Sequence, residues 1–282
     1  MAAIAYITDG KMLELHRLNR NSEMNFWRLS AKNNFRQFNV GDLLFFLSKD
    51  KRHSLNGEKG IIGYGRCESF FKSNSEAMWN KFETKNGYRN KIEFKNALKK
   101  LTKDKKLPKQ ISSIYLNDVV FFQAPIFLSE CGYELPSQVE SYIYLNDEIP
   151  LKILSFAKES PDIWTMNHET EDCIDKEICR YHLNQIINKY NPIPLSNNQF
   201  KEANCLLKEI CNNDQEIYLF ADKIEAYKIM DKEINIYFPK LKGIDDRIFI
   251  GQAYLINQDI NKYHDNIKLN FYFVKEGELI KW

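Results

Sequence analysis

The feature of this sequence that most constrains its fold is a pair of apolar runs joined by a polar turn. The first run, LLFFLSK at 43–49, is continuous and of strand length, which is typical of a strand buried on both faces. The second, IIGYGRCESFF at 61–71, follows a polar segment with an Asn-Gly dipeptide at 56–57, a strong turn signal. The two runs predict a β-hairpin, in which Gly63 and Gly65 allow a close backbone approach or a bulge.

Short strands and two helices surround this hairpin in the first half of the chain. Ser75 can cap the first helix and Gly87 can supply a left-handed residue at its end. Pro125 indicates an edge or bulged strand. Aromatic and β-branched composition predicts strands at 2–8, 25–30, 118–128 and 140–145, and helical spacing predicts helices at 75–86 and 91–101.

The second half predicts two helices followed by a strand meander. The helices are expected at 169–190 and 196–211, separated by the NPIP segment, in which proline breaks the helical pattern. Strands are expected near 216–221, 224–230, 233–239, 247–256 and 267–274. The fold class is therefore α+β, with domains at 1–156 and 157–282 and a linker near Ser160-Pro161.

Charge differs between the two predicted domains. Residues 1–156 hold 24 basic and 17 acidic side chains, whereas residues 157–282 hold 16 and 21. A basic first domain is typical of a protein whose partner is a polyanion, while an acidic second domain is expected to have a different partner.

Composition excludes several classes. With 44% hydrophobic and 28% charged residues among 282, the chain is globular and not a disordered or fibrous protein. No apolar run approaches the roughly 18–20 residues of a spanning helix, and the first 15 residues do not resemble a secretory signal. Six cysteines without a CxxC pair favour a reducing setting. We therefore expect a cytoplasmic protein without a membrane partner.

Aromatic residues beside polar ones suggest a base-binding pocket. Trp27 ends a predicted strand and is followed by Arg28, Ser30 and Lys32. Rings placed around a small β-barrel can sandwich an extruded base, whose edge polar groups then contact. Tyr64, between two glycines, and Trp79, on the following helix, are further candidates. Packing of the same rings in a core is the alternative.

Two clusters of basic residues are candidate phosphate contacts. Such clusters neutralise phosphates without contacting base edges, and a solvated surface is the alternative. The first is the hairpin tip and the second is a lysine-rich loop; their members are Lys49, Lys51 and Arg52, then Lys99, Lys100, Lys103, Lys105 and Lys106.

No metal site, cofactor site or catalytic motif is predicted. His168, Cys173, Cys179 and His182 have zinc-binding side chains, but their spacing matches no common zinc motif, and buried cysteines are favoured. Residues 157–282 contain no acidic-x-Lys triplet of the kind that metal-dependent nucleases use. A P-loop, a nucleophile elbow and a dinucleotide fingerprint are also absent from the sequence, so the catalytic residues are unknown.

The ordered motifs of the first half carry a family resemblance. NFWRLSAK, F-x-x-GDLLFFLSK, IIGYG, W-x-x-F-x-x-KNG and DVVFFQAPIFL together resemble the PUA-like N-terminal domain of bacterial HNH endonucleases of the modification-dependent restriction type. The resemblance covers about residues 3–150 and extends more distantly to the EVE and YTH branches. It implies a PUA-like β-barrel with flanking helices that binds nucleic acid with a flipped, often modified, base. Asn25, Trp27, Ser30, Gly41, Asp42, Gly63, Gly65, Trp79, Asn86 and Gly87 match this pattern, which adds Asn25 and Asn86 to the candidate base contacts.

The sequence therefore predicts a DNA-binding sensor of a flipped, modified base, acting in phage defence or modification-dependent restriction. Its expected partner is duplex DNA, with a separate effector subunit for the second domain. One alternative is a nuclease whose carboxylates lie in the second domain, for example Glu225, Asp231, Asp245 and Asp246. Another is a PUA-like protein that binds modified RNA.

Overall fold

The structure is a computed structural model of the chain. It describes residues 3–29, 35–102, 104–136, 139, 141–146, 148–159, 168–190, 193–220, 223–264 and 267–282, of which 159 and 168–173 are described by their backbone alone. Ser30, Lys32 and Lys103 of the predicted contacts, and the predicted linker near Ser160-Pro161, lie outside these ranges.

The chain is a mixed α+β protein with two sheets in two compact units, residues 2–173 and 174–282. A helix runs over Glu148–Glu159, so the predicted boundary at 156 falls inside a helix. The charge contrast shrinks with this division, to 25 basic and 22 acidic residues in the first unit and 15 and 16 in the second. Much of the predicted contrast therefore came from residues 157–173.

The first unit contains a six-stranded sheet in the order β2-β5-β4-β3-β1-β6. β3 and β4 form the predicted hairpin, and a Cβ at Gly63 would lie 2.3 Å from the Val120 carbonyl oxygen, which confirms the close approach. The elements are β1 Ala3–Thr8, α1 Gly10–Leu18, β2 Met24–Arg28, β3 Leu43–Arg52, β4 Lys59–Ser73, α2 Ser75–Phe82, a 3₁₀ helix Glu83–Asn86, α3 Lys91–Leu101, β5 Ile111–Ile126, β6 Tyr142–Leu145 and α4 Glu148–Glu159.

Local signals explain the helix ends of this unit. Asn74, and not Ser75 as predicted, caps α2, because its side chain accepts a hydrogen bond from the Ala77 amide at 2.9 Å. Gly87 has the predicted left-handed conformation, with φ of 81°. Helices α1 and α4 were not predicted from the sequence.

The first sheet is curled but is not a closed barrel, which corrects the sequence expectation. Strands β2 and β6 lie at the two ends of the strand order, and no pairing joins them in the part of the chain that the structure describes. β1, the neighbour of the end strand β6, still approaches β2, since the rings of Tyr6 on β1 and Phe26 on β2 lie 4.9 Å apart. At this seam between the two ends of the sheet, side chains make a contact where backbone hydrogen bonds do not.

The second unit contains a five-stranded mixed sheet in the order β11-β10-β9-β8-β7. β7 to β9 are antiparallel neighbours, β9 and β10 are parallel, and β10 and β11 form a hairpin. Its elements are α5 His168–Lys189, which begins in the first unit, α6 Asn197–Asn213, β7 Tyr218–Leu219, β8 Ala226–Ile229, β9 Glu233–Pro239, α7 Asp246–Ile260, β10 Lys268–Lys275 and β11 Glu278–Lys281.

The predicted strand meander is wrong at 247–256, which is helical. Asp245 caps α7, accepting from the Arg247 amide at 3.0 Å. Phe249, Ala253 and Ile256 are buried at helical spacing, so the apolar residues form one helix face. Because α7 crosses over between β9 and β10, these strands are parallel and not consecutive antiparallel neighbours.

Candidate functional site

Strand β2 has one face covered by helices, and this face holds three of the predicted base contacts in one network. Asn25 donates to the Asn86 side-chain oxygen at 2.9 Å, and the Trp27 indole donates to the Asn86 carbonyl oxygen at 3.0 Å. Asn86 in turn donates to the Glu83 carbonyl oxygen at 2.9 Å. The network ties β2 to the segment that follows α2, although its members are about 60 residues apart in the sequence.

Burial separates these residues into structural and accessible ones. Asn25 and Asn86 have no exposed surface, so their side chains hold the fold in this structure and offer nothing to a ligand. Trp27 is partly buried: its ring packs against Phe94 at 5.6 Å and Tyr88 at 6.2 Å, and another part of it lines a cleft.

The other two predicted aromatic contacts lie elsewhere. Tyr64 has no exposed surface and packs between Phe45 and Phe122, with ring centres 5.9 and 6.0 Å away. Trp79 packs against Phe94 at 5.8 Å in the helix-covered cluster. Neither residue lines the cleft beside Trp27. For Trp79 this agrees with the alternative of packing in a core.

The Trp27 cleft is a cavity of about 370 Å³ at the seam where the sheet does not close. It lies between the ends of β1 and β2, beside the first residues of the β3 hairpin tip. Its lining residues are Tyr6, Ile7, Thr8, Asp9, Gly10, Met12, Phe26, Trp27, Arg28, Leu29, Lys49, Asp50, Tyr88 and Leu101. The predicted contacts Trp27, Arg28 and Lys49 therefore share one cavity.

Both signs of charge line the Trp27 cleft. Arg28 and Lys49 are its cations, and Asp9 and Asp50 are exposed at its rim. Burial, together with the smaller effect of the nearby Asp9 charge, raises the pKa of Tyr88 to about 12. Burial also raises the pKa of Tyr6, against the opposing effect of Arg28. Both phenols are therefore neutral hydrogen-bonding groups at pH 7.

Sequence reasoning missed Tyr6, Asp9 and Tyr88 as lining residues. Tyr88 directly follows the left-handed Gly87, a signal that the chain reverses there and returns toward Trp27. Tyr6 and Asp9 reach the cleft because the sheet curls, which the sequence of β1 alone does not indicate.

The predicted phosphate contacts of the hairpin lie beside the cleft. Lys51 lines a neighbouring hollow of about 300 Å³ together with Lys11 and Arg17, and this hollow shares Gly10 and Asp50 with the Trp27 cleft. Arg52 folds back on the hairpin, where its guanidinium donates to the carbonyl oxygens of residues 49 and 57 at 3.2 and 3.3 Å.

The lysine-rich loop is an exposed turn that begins beside Leu101, which lines the Trp27 cleft. Lys99 and Lys100 end α3, while Lys105 and Lys106 follow it and are exposed. The Thr102 hydroxyl closes the turn by donating to the Lys106 carbonyl oxygen at 2.7 Å. These lysines line neither the cleft nor the hollow, and their contact with phosphates stays a prediction.

The second unit brings together only part of the Cys/His set. His182 and His264 have ring nitrogens 3.0 Å apart, and Cys179 Sγ lies 3.9 Å from His264 Nδ1. Burial, helped by His264, lowers the pKa of His182 to about 4. Within the described ranges, no group of three or more His, Cys, Asp or Glu is arranged to hold a metal ion.

The carboxylates named for the nuclease alternative have separate partners. Asp231 is 3.8 Å from Lys176 and largely exposed, Asp245 pairs with Arg247 at 2.6 Å, and Asp246 pairs with Lys240 at 2.7 Å. Glu225 differs from these three because its side chain is buried.

Glu225 is buried next to an amide. One of its oxygens accepts from Gln252 Nε2 at 2.7 Å, and its other oxygen has no hydrogen-bond partner among the described residues. It is 3% exposed, and this burial raises its pKa.

The comparisons give structural likenesses without a family. No family model matches the chain, and no curated protein matches it significantly. The chain is similar to crystal structures of the ASCH protein from Zymomonas mobilis. The unsubstituted ASCH structure is 13% identical, with 54% of this chain and 94% of that chain covered at a TM-score of 0.38. A single-substitution mutant of it is 12% identical, with 55% and 95% covered, at a TM-score of 0.38.

At a TM-score of 0.38 the likeness decides neither the fold family nor the function of this chain, and both stay proposals. In the part of the chain that the structure describes, every helix is too short or too polar to cross a bilayer.

Proposed function

We propose that the first unit is a nucleic-acid-binding domain that takes one unstacked base into the Trp27 cleft. The observation that supports this is the cleft itself, where the rings of Trp27 and Tyr88 stand beside cations and carboxylates at an open seam. Its volume of about 370 Å³ is within the range of small-ligand sites, roughly 300–1,000 Å³.

The lining chemistry suits a heterocyclic base. Aromatic rings stack on base faces, and carboxylates such as Asp9 and Asp50 can accept hydrogen bonds from exocyclic amino groups. Lys49 can donate to a base oxygen or to the adjoining phosphate. Thus one cavity offers a stacking surface, acceptors and donors, which are the three elements that base recognition needs.

The finer proposal is a sensor of modified bases in duplex DNA, acting in phage defence or modification-dependent restriction. Flipping would deliver the base from the duplex, and the apolar side chains of Met12 and Phe26 in the cleft offer contacts for an added methyl group. The second unit would then pass the signal to an effector subunit. Binding of modified RNA is the competing proposal.

A binding screen tests this proposal at two levels. Duplexes with methylated, hydroxymethylated or glucosylated cytosine, or with methylated adenine, are compared with unmodified duplex and with matched single-stranded RNA. Preference for one modified duplex supports the sensor, and preference for RNA supports the competitor. Absence of binding to every probe contradicts the nucleic-acid proposal as a whole.

Trp27→Ala, with Trp79→Ala as its control, tests the cleft. Base–aromatic stacking is worth about 1–3 kcal/mol, so Trp27→Ala is expected to weaken binding about 5- to 150-fold. Trp79 belongs to the same packed cluster but lines no part of the cleft, so its removal controls for loss of packing. Equal losses in two folded variants, judged by thermal melting, would place the base elsewhere.

The nuclease alternative is retained for the second unit because of Glu225. A buried carboxylate with an unpartnered oxygen and a raised pKa is a feature that active sites share. We expect a nuclease of this kind to cut modified DNA when magnesium is supplied, and Glu225→Gln to abolish the cutting. A purified chain that binds DNA but never cuts it contradicts this alternative and leaves the sensor intact.

A further inference from the structure

A second cavity lies against the Trp27 cleft and shares Arg28 with it. This cavity, the Phe70 groove, has a volume of about 360 Å³ and runs over strands β2, β5 and β4. Its lining residues include Arg28, Phe35, Phe70, Lys72 and Ser112. Because Arg28 lines both cavities, a ligand that fills one lies next to a ligand that fills the other.

Strand register explains why this groove is basic. Arg28 pairs with Ser112, and Ser112 pairs with Lys72, so the three residues form one row across three neighbouring strands. Directly paired residues of antiparallel strands point to the same face, and neighbouring strands lie about 4.8 Å apart. The row therefore presents a hydroxyl between two cations, over a width of roughly 10 Å.

The adjoining surface of the groove is aromatic. Phe70 is 46% exposed, which is unusual for a phenylalanine, and its ring lies 6.3 Å from that of Phe35. The Arg28 guanidinium lies over the Phe35 ring, 4.3 Å from its centre. A flat apolar surface thus lies next to the row of polar side chains.

Charge distinguishes the two cavities and indicates what each holds. The described lining of the Trp27 cleft contains two cations and two carboxylates, which suits an uncharged base with donors and acceptors. Among the described residues of the Phe70 groove, Arg28 and Lys72 are charged and no carboxylate is present. A group that carries negative charge together with a flat ring, as a nucleotide does, fits this second lining.

We infer that the Phe70 groove binds the nucleotide adjacent to the base in the Trp27 cleft, so that the unit holds two consecutive nucleotides of a single-stranded segment. The phosphate lies on the row of Arg28, Ser112 and Lys72, and the neighbouring base stacks on Phe70. This inference rests on the proposed function, since it adds a second nucleotide to the one in the cleft.

The full-length chain is tested by fluorescence anisotropy with labelled single-stranded 8-mers of random sequence, DNA in one arm and RNA in the other. Phe70→Ala is expected to weaken binding about 5-fold or more. Lys72→Ala is expected to lower the slope of log affinity against log salt by about 0.7. The controls are Ile92→Ala on α3 and Lys242→Ala in the second unit, both at exposed positions that do not line the groove.

The outcomes separate the two proposals. If the unsubstituted chain binds neither 8-mer, the inference is overturned, while the screen with modified duplexes still decides the proposed function. If Trp27→Ala weakens binding while Phe70→Ala and Lys72→Ala behave like their controls, base binding in the Trp27 cleft is supported and the groove inference is overturned. Should Phe70→Ala lose its cooperative melting, the Lys72→Ala salt slope decides alone, since this exposed side chain is not part of the core. The arm with the tighter binding identifies the nucleic acid.

Discussion

The two faces of the β2-β5-β4 surface differ although they come from alternating residues of the same strands. On one face the row of Trp27, Ser113 and Phe71 lies under helices α2 and α3. On the other face, one residue along each strand, the row of Arg28, Ser112 and Lys72 lines an open groove. Strand register therefore assigns each side chain to the core or to the surface, because the side-chain period of a strand is two.

The largest expected effect separates the two faces by stability. Phe94 has no exposed surface and contacts Trp27, Trp79 and Tyr88 on the covered face. Phe94→Ala is expected to lower the free energy of unfolding by about 3–5 kcal/mol, measured by urea denaturation. Phe70→Ala on the open face is expected to cost less than about 1 kcal/mol. Similar costs for both would remove the distinction between covered and open faces.

Acid is expected to lower the stability of the first unit through His16. Burial lowers the pKa of His16 to about 4, so the folded protein favours the neutral ring. The free energy of unfolding is therefore not reduced by His16 above about pH 6.5. It falls as pH drops toward 4, by about 1.4 kcal/mol per pH unit over this window.

Denaturation at pH 7, 6 and 5 measures this dependence, with His16→Gln as the variant that lacks the titrating ring. The slope of stability against pH should be shallower in the variant. His182, whose pKa burial also lowers to about 4, contributes a similar dependence in the second unit. An identical slope in His16→Gln and the unsubstituted chain would contradict the assignment.

Trp27→Phe tests the residue that contacts both the packed cluster and the cleft. Phenylalanine keeps an aromatic ring but removes the indole donor to the Asn86 carbonyl oxygen. The expected cost is about 1 kcal/mol of unfolding free energy, with nucleic-acid affinity largely retained. Thermal melting and anisotropy measure the two quantities, and a folded Trp27→Phe variant without binding would mean that the cleft needs the indole itself.

Two pairs of lysines are expected to differ in the salt dependence of binding, and this is a small difference. Lys49 and Lys51 line the cleft and its neighbouring hollow, whereas Lys105 and Lys106 line neither. Replacing the first pair with alanine is expected to lower the salt slope on duplex DNA by about 0.9 per lost phosphate contact. The second pair is expected to change it less. A larger effect of Lys105 and Lys106 would move the phosphate path to the lysine-rich loop.

Local signals in the sequence predicted the hairpin, the left-handed Gly87 and most helices, because each depends on residues close in the chain. The strand predicted at 247–256 failed, since β-favouring residues there outweighed the helical spacing of Phe249, Ala253 and Ile256. The sequence placed Trp27 and Arg28 together as candidate base contacts, and both residues line one cleft. The burial of Asn25 could not be predicted from β2, because the Asn86 side chain that accepts its hydrogen bond lies on a distant segment.

The open seam of the first sheet has a consequence for how this molecule could diverge. Where two strands pair, the register fixes which face each side chain occupies. Across the seam the contact between Tyr6 and Phe26 is made by side chains alone, so exchanging either ring changes the seam and leaves the strand register as it is. Descendants of this chain can therefore acquire a wider or narrower cleft by single substitutions, while the scaffold that holds it stays unchanged.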